Sequence, residues 1–337
     1  MSFIRLSHPL SLGKYKLKIY FEPYFLYVLH FMIFILNLIE WYSESKLFRF
    51  YLEMKEFFYL FKEKINMKRI KSFQQVKRLV IKIGTSTIIK ESGKINYYYL
   101  EKLAKIVSGL HAQGREVVIV SSGAIGIGAS KFGLQQKPQK LDEKQAMAAI
   151  GQGLLMHLYK NIFSKYEITV AQMLLTRNDF EDSIRQYNTC NTFNALFKYK
   201  VIPIVNENDT VAVEEIVFGD NDTLSAVVSI LIKADILIML SDTDGLYSGD
   251  FRKNKNLKKI SLVEDINEEI ESFACGVGSS FGTGGMRTKI SAAKLATARG
   301  IAVAIIKGKK PEQIMGIIQG KNEGTIFLPK KITEGQN

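Results

Sequence analysis

Cysteine and histidine are scarce in this chain. Its 337 residues include two cysteines, Cys190 and Cys275, and four histidines, His8, His30, His111 and His157. None of these has the close spacing of a zinc site, and two distant thiols build no disulfide framework. Both thiols read as reduced and buried. No Ser/His/Asp or Cys/His set is arranged for nucleophilic catalysis. The recognised nucleic-acid motifs are missing too, so the net charge of +13 gives no ground for a nucleic-acid partner. Lysines on solvated faces, such as Lys253, Lys255, Lys258 and Lys259, account for it. A full-length membrane span is also lacking. The apolar run Tyr24–Ile39 is interrupted by His30 and Asn37 and falls short of the roughly 20 residues that cross a bilayer. No small-residue cleavage site follows it, which argues against a secretory signal.

What is present falls into two unlike parts. Residues 1–66 are crowded with Phe, Tyr, Leu and Ile and hold one glycine and two prolines. Three readings of them stand: an extension upstream of a natural start at Met67, a membrane contact through residues 24–39 with Trp41 and Tyr42 at the interface, or an extra packed helix pair. The first is preferred, because MKRIKSFQQVKRLVIKIG from Met67 resembles the opening of a cytoplasmic enzyme. The expected organisation is a hydrophobic extension over 1–66, one catalytic domain over 67–330 and a tail over 331–337.

From Met67 onward, short β-branched runs alternate with helical periodicity. The runs are RLVIKIG (78–84), REVVIVSS (115–122), ITVAQMLL (168–175), KVIPIVNE (200–207), ADILIMLSD (234–242) and IAVAIIKG (301–308). Continuous apolar stretches of this length are what strands buried on both faces require. Residues 97–114 carry Leu100, Leu103, Ile106, Val107 and Leu110 on one helical face and end at Gly114, a natural C-terminal stop. Strand–helix alternation predicts an α/β fold with a mainly parallel sheet and helices on both faces.

Ligands of open α/β sheets gather at the carboxyl ends of the strands, and the polar residues of this chain concentrate there. The first run ends as IKIGTST. Lys82 is costly inside an apolar run unless its ammonium meets an anion or snorkels to water. Gly84 allows close backbone approach. The second run enters SSGAIGIG (121–128), where Ser121, Ser122 and Gly123 open a helix. Unpaired N–H groups and the helix dipole make an anion site there, though not of the Walker A pattern.

The fourth run ends in NENDTVAVEEIVFGDNDTLSA (206–226). Asn and Asp are ordinary cap and turn residues. Two such clusters on either side of one loop also suit an amino acid, which brings both an ammonium and a carboxylate. SDTDGLYSGD (241–250) places Asp242 and Asp244 either beside a Mg²⁺-nucleotide or in a plain turn. FGTGGMRTK (281–289) is a glycine-rich approach to a helix carrying Lys289 in its first turns. Two lysines, glycine-rich turns and an acidic cluster suit phosphoryl transfer, which depends on positioning and charge neutralisation.

The ordered set KIGTS, SSGAIGIG, GQGLLM, AQMLLTRND, NTFNALF, PIVNENDTVA, GDNDTLSA, LSDTDGLY and GTGGMRTK closely resembles the amino acid kinase family. Within it, the resemblance is to the members that phosphorylate the side-chain carboxylate of glutamate, and it covers about residues 76–328. The resemblance implies a three-layer αβα sandwich around a central mainly parallel sheet, with the acceptor in the N-terminal half and ATP in the C-terminal half. It implies Lys82 near the transferred phosphate. It implies acceptor binding by Ser122, Gly123, Asp209 and Asn221, with Asp220 as a further acceptor residue. It implies nucleotide binding by Lys82, Gly84, Ser241 and Asp242 and by Thr283, Gly284, Gly285, Met286, Arg287, Thr288 and Lys289. Asp222 resembles an acidic residue that holds the active-site lysines, so the catalytic set is Lys82, Lys289 and Asp222.

The implied substrates are L-glutamate and ATP with Mg²⁺, and no protein metal ligand is assigned. Proline as a feedback inhibitor and a homo-oligomer follow from the resemblance alone, as does proline biosynthesis as the pathway. Few residues follow Leu328, so the C-terminal PUA domain of many members is expected to be absent. Two alternatives stay open: a kinase of the same fold acting on acetylglutamate, aspartate, uridylate or isopentenyl phosphate, or a non-catalytic amino-acid sensor.

Overall fold

The structure, a computed structural model, describes residues 72–90, 92–134, 138–211, 221–249, 257–274 and 285–330, together with Lys55. The chain divides into two units, Met1–Asn66 and Met67–Asn337. The extension over 1–66, with the candidate membrane contact at 24–39, otherwise lies outside the described residues. Among the described residues no helix is long and apolar enough to cross a membrane.

The second unit alternates strand and helix as its sequence pattern predicts. Its elements run β1 (Arg78–Ile83), α1 (Tyr97–Ala112), β2 (Glu116–Ser121), α2 (Ala124–Lys131), α3 (Leu141–Ser164), β3 (Val170–Leu175), α4 (Ser183–Lys198), β4 (Ile202–Glu207) and α5 (Asn221–Leu231). They continue with β5 (Ile236–Ser241), β6 (Leu246–Tyr247), β7 (Lys259–Ile260), β8 (Leu262–Val263), α6 (Met286–Thr297), β9 (Ala302–Lys307), α7 (Gln313–Ile318) and β10 (Thr325–Phe327). Single turns of helix lie at Thr85–Ile88 and Asn178–Glu181, with a slightly longer one at Glu268–Ser272.

Eight strands form one sheet in the order β3-β4-β2-β1-β5-β9-β10-β8. Every neighbouring pair is parallel except β9–β10. Strands β6 and β7 form a separate antiparallel ribbon. The six apolar runs of the sequence become β1, β2, β3, β4, β5 and β9.

Helices cover both faces because strand side chains alternate. On one face Leu79, Ile81 and Ile83 of β1 pack with Leu103 and Val107 of α1, Leu155 and Phe163 of α3, and Ile314 and Ile317 of α7. On the other, Val80 packs with Phe193 of α4, Leu224 and Val228 of α5, and Ile290 and Ala293 of α6. The result is the expected three-layer αβα sandwich. Helix α1 stops where the sequence says it should, one residue before the Gln113–Gly114 turn, with Gly114 at φ +80°.

Strand β1 lies between β2 and β5. From β2 the chain goes to β3 at the edge, fills in β4 between them, then returns past β1 to begin the other half at β5. Such a reversal opens a crevice at the carboxyl ends of the central strands. The ends of β1, β2, β4 and β5 therefore share one edge.

Candidate active site

Lys82 is the next-to-last residue of β1, in register with Val120 and Met239 of its neighbours. Its parity along the strand is that of Val80, so it points to the face covered by α5 and α6. It is only 4% exposed. An isolated ammonium at that depth would cost several kcal/mol of desolvation, on the order given for buried ions. The fold supplies Asp222 instead. Its carboxylate sits in the first turn of α5, where the helix dipole favours an anion, and Oδ1 lies 2.6 Å from the Lys82 Nζ.

The same carboxylate holds a second cation. Lys289, in the first turn of α6 and equally buried, places its Nζ 3.0 Å from Asp222 Oδ2. Thr288 donates its hydroxyl to the same oxygen at 2.8 Å. Two ammonium groups from opposite ends of the domain's sequence thus meet across one carboxylate. The three side chains together carry one net positive charge, sheltered from water. In low dielectric such a charge acts strongly on an incoming anion.

Beside this triad lies an uncharged polar floor. At the end of β2, Gly123 takes φ +107° as the N-cap of α2, a conformation that glycine adopts without strain. No side chain caps that turn, so the first amides of α2 lack intrahelical partners. Asn221, the residue before Asp222, donates its side-chain amide to Ser122 Oγ at 2.8 Å and to Asn206 Oδ1 at 3.1 Å. Asn206 in turn donates to Gln152 Oε1 at 3.0 Å. The two Asn/Asp clusters, separate in sequence, are therefore hydrogen-bonded to one another. Asp209 follows in the turn after β4 and is half-buried. Asp220 lies outside the described residues.

On the far side of β1, Ser241 ends β5 and is buried. Its hydroxyl donates to Asp242 Oδ1 at 3.2 Å, and the Lys307 ammonium donates to the Asp242 carbonyl. The Gly308 amide closes on the Ser241 carbonyl at 2.6 Å. Asp244 serves the turn. It accepts the Tyr247 hydroxyl at 2.6 Å, with Lys259 3.6 Å away. Burial pushes the Asp244 carboxyl up, but the Tyr247 hydroxyl and Lys259 outweigh it, and the net shift is downward. Burial and this carboxylate push the Tyr247 phenol up to about 12.

Gly84 follows β1 as the N-cap of the Thr85–Ile88 turn. Gly285 is the N-cap of α6, followed by Met286, Arg287 and Thr288. Thr283 and Gly284 lie outside the described residues. Sequence reasoning singled out neither Asn206 by itself nor Gln152. Of the two cysteines, Cys190 is half-buried rather than buried, and Cys275 lies outside the described residues.

Residues 77–307 match the model of the amino acid kinase family. A glutamate 5-kinase of Clostridium acetobutylicum is 52% identical over 262 residues, covering 78% of this chain and 98% of that protein. The chain belongs to the amino acid kinase family.

Other relatives in the family carry the same name. The glutamate 5-kinase of Clostridium perfringens is 49% identical, with 77% of this chain and 98% of that protein covered. That of Carboxydothermus hydrogenoformans is 51% identical, with 77% of this chain and 69% of that protein covered. Among solved structures, a UMP kinase from Bacillus anthracis superposes with a TM-score of 0.53 at 16% identity, over 76% of this chain and 97% of that one. A carbamate kinase from Giardia lamblia bound to AMP-PNP gives 0.54 at 15% identity, over 76% and 99%. At those identities the structures share the fold of the family. The named relatives place the chain in its glutamate 5-kinase branch.

Proposed function

We propose that this chain transfers the γ-phosphoryl group of ATP to the γ-carboxylate of L-glutamate, giving L-glutamyl 5-phosphate and ADP, the first step of proline biosynthesis. The observation that carries the chemical part of the reading is the Lys82–Asp222–Lys289 triad. Both lysines are buried, both touch one carboxylate, and the set retains a positive charge at the carboxyl ends of the central strands.

The attacking group is already an anion, so no general base is required. A γ-carboxylate oxygen forms its bond to the γ-phosphorus while the bond to the β,γ-bridging oxygen breaks, and ADP leaves with those electrons. The obstacle is repulsion between the carboxylate and the phosphate. Lys82 and Lys289 offset it by placing positive charge against the equatorial oxygens as the phosphoryl group moves. Asp222 holds the two ammonium groups in place. Ser122, Gly123, Asp209, Asp220 and Asn221 form the acceptor pocket in this reading. Gly84, Ser241, Asp242 and the 283–289 segment hold the nucleotide.

Mg²⁺ accompanies ATP as part of the substrate. Among the described residues no three His, Cys, Asp or Glu side chains gather as a cage. The ion's contribution when bound is charge neutralisation. The same reading takes proline as a competitor in the acceptor pocket, a homo-oligomer as the assembly, and the cytoplasm as the compartment.

The test is acyl-phosphate trapping. The chain, ATP, Mg²⁺ and hydroxylamine are incubated with L-glutamate, L-aspartate, N-acetylglutamate, UMP or isopentenyl phosphate, and hydroxamate and ADP are measured. Hydroxamate with glutamate alone supports the assignment. ADP release driven by another acceptor, with none from glutamate, would overturn it.

A further inference from the structure

Three side-chain amides and a hydroxyl run as one hydrogen-bonded chain from helix α3 to the anion-binding turn: Gln152, Asn206, Asn221 and Ser122. Gln152 and Asn206 are more than nine-tenths buried. Two atoms of the chain are left over. Gln152 Nε2 and Asn221 Oδ1 are shielded from solvent and have no hydrogen-bond partner among the described residues. An unmet buried donor or acceptor costs about 1–3 kcal/mol, and folded proteins rarely retain one without a use for it. Here one spare donor and one spare acceptor belong to a single relay. A free amino acid supplies their complements, a carboxylate and an ammonium.

The packing of α3 on α2 decides which end takes which group. A Cβ on Gly151 would lie 1.8 Å from the Ala124 carbonyl oxygen and 2.6 Å from the Gly128 amide nitrogen. Only the missing side chain lets α3 come this close to the first turn of α2. Gln152 follows directly, and its hydrogen bonds through Asn206 and Asn221 reach Ser122 beside the turn, where backbone N–H groups favour an anion. A donor beside that turn adds to its preference for a carboxylate. Asn221, one residue before Asp222 and next to the half-buried Ser122, offers a carbonyl oxygen to a cation.

We propose that Gln152 is a specificity-determining residue of the acceptor pocket: its Nε2 donates to the α-carboxylate of the incoming amino acid, while Oε1 holds Asn206 and, through it, the carbonyl of Asn221 toward the α-ammonium. The proposal rests on the reading of the acceptor as L-glutamate. It assigns selection for an α-amino acid to a residue on helix α3, away from the Asn/Asp-rich loop. A dicarboxylate without the ammonium, or an amino acid with a blocked carboxylate, leaves one end of the relay unmet.

The full chain is titrated calorimetrically with L-glutamate and with L-isoglutamine, whose α-carboxylate is a neutral amide, for the wild type, Gln152→Glu and Gln152→Met. ATP affinity and melting temperature serve as controls on folding. Gln152→Glu keeps an acceptor for Asn206 but sets a carboxylate against the ligand's own. The glutamate-to-isoglutamine affinity ratio is expected to fall by about tenfold or more in Gln152→Glu, the scale of one charged hydrogen bond. It should fall in the same direction but less in Gln152→Met, with ATP affinity unchanged in both. A residue that only supports the fold would weaken both ligands alike, and an unmoved ratio in both variants overturns the role of Gln152. A wild-type chain that binds no glutamate removes this proposal together with the function above. Glutamate binding with an unmoved ratio removes this proposal alone.

Discussion

The ammonium of Lys82 lies 2.6 Å from Oδ1 of Asp222, in a site where the carboxylate is fully buried and the lysine nearly so. Lys289 takes the other oxygen of that carboxylate at 3.0 Å. One acid thus neutralises half of two cations, and the surplus charge is what a migrating phosphoryl group would meet.

Truncating either lysine should therefore damage turnover more than acceptor affinity. For Lys82→Ala and Lys289→Ala we expect kcat to fall by about 100-fold or more, as for loss of one preorganised charge in a transition state. The KM for glutamate should shift by only a few fold. Steady-state kinetics of hydroxamate formation would measure both. Near-normal kcat in either variant would remove that lysine from the chemistry.

Asp222→Asn should affect stability as well as rate. The amide keeps the shape but removes the carboxylate that both buried ammonium groups touch. Breaking a buried ion pair from one side costs about 3–5 kcal/mol, and here one residue serves two pairs. The denaturant midpoint is expected to drop sharply without a change in slope, and kcat to fall with it. A variant as resistant to urea as the parent would show that the carboxylate is not the keystone of the triad.

The alkaline limit of stability should depend on a tyrosine beside the acceptor turn. Tyr159 on α3 is fully enclosed and shares a 2.9 Å hydrogen bond with Ser121, the last residue of β2. Burial pushes its phenol far above the ordinary value of 10.0, and the Ser121 contact only partly offsets this. The phenol is neutral when protonated, and its folded pKa is raised. Its contribution is therefore complete below pH 10 and is lost as pH climbs beyond that, because the unfolded chain ionises first. Tyr159→Phe should cost about 1 kcal/mol near neutrality for the lost hydrogen bond. The gap between parent and variant should close as pH rises above 10. Denaturant melts across that range would follow it, and a gap that widened would contradict the sign.

Much of this fold was legible in the sequence because its main strands are long, β-branched and buried on both faces. The run 78–84 announced β1, and Lys82 stood out in it as a charge in the wrong company. Strands β8 and β10 were not legible. They span two and three residues, too few for any periodicity, and exist because neighbouring backbones offer hydrogen bonds. The Asn/Asp clusters at 206–209 and 220–222 were visible as composition. Only the fold shows Asn206 and Asn221, 15 positions apart in sequence, in contact. Gln152 stood inside GQGLLM, one of the motifs that carry the family resemblance, but nothing in that motif marked the glutamine itself. A glutamine on a helix with scattered lysines and alanines reads as solvent-facing, whereas the fold buries it against Asn206 of β4.

The Gly151 contact with α2 gives a paired test within one turn of helix. Gly151 and Gly153 both lie in α3, and both would gain helix propensity from alanine, by about 0.5–1 kcal/mol. At Gly153 a new Cβ meets nothing within 4 Å, and the residue is exposed. Gly153→Ala should therefore raise the melting temperature and leave kinetics alone. At Gly151 the new Cβ would stand 1.8 Å from the Ala124 carbonyl, a backbone atom that cannot rotate away. Helix α3 must back off from α2, and overpacking of this kind costs about 1–3 kcal/mol. The displacement carries Gln152 away from Asn206 and the α2 turn, so the KM for glutamate should rise while the KM for ATP holds. Thermal melts with both KM values, measured side by side for the two variants, separate the effects. Equal behaviour of Gly151→Ala and Gly153→Ala would mean that the α2–α3 contact does not set the acceptor pocket.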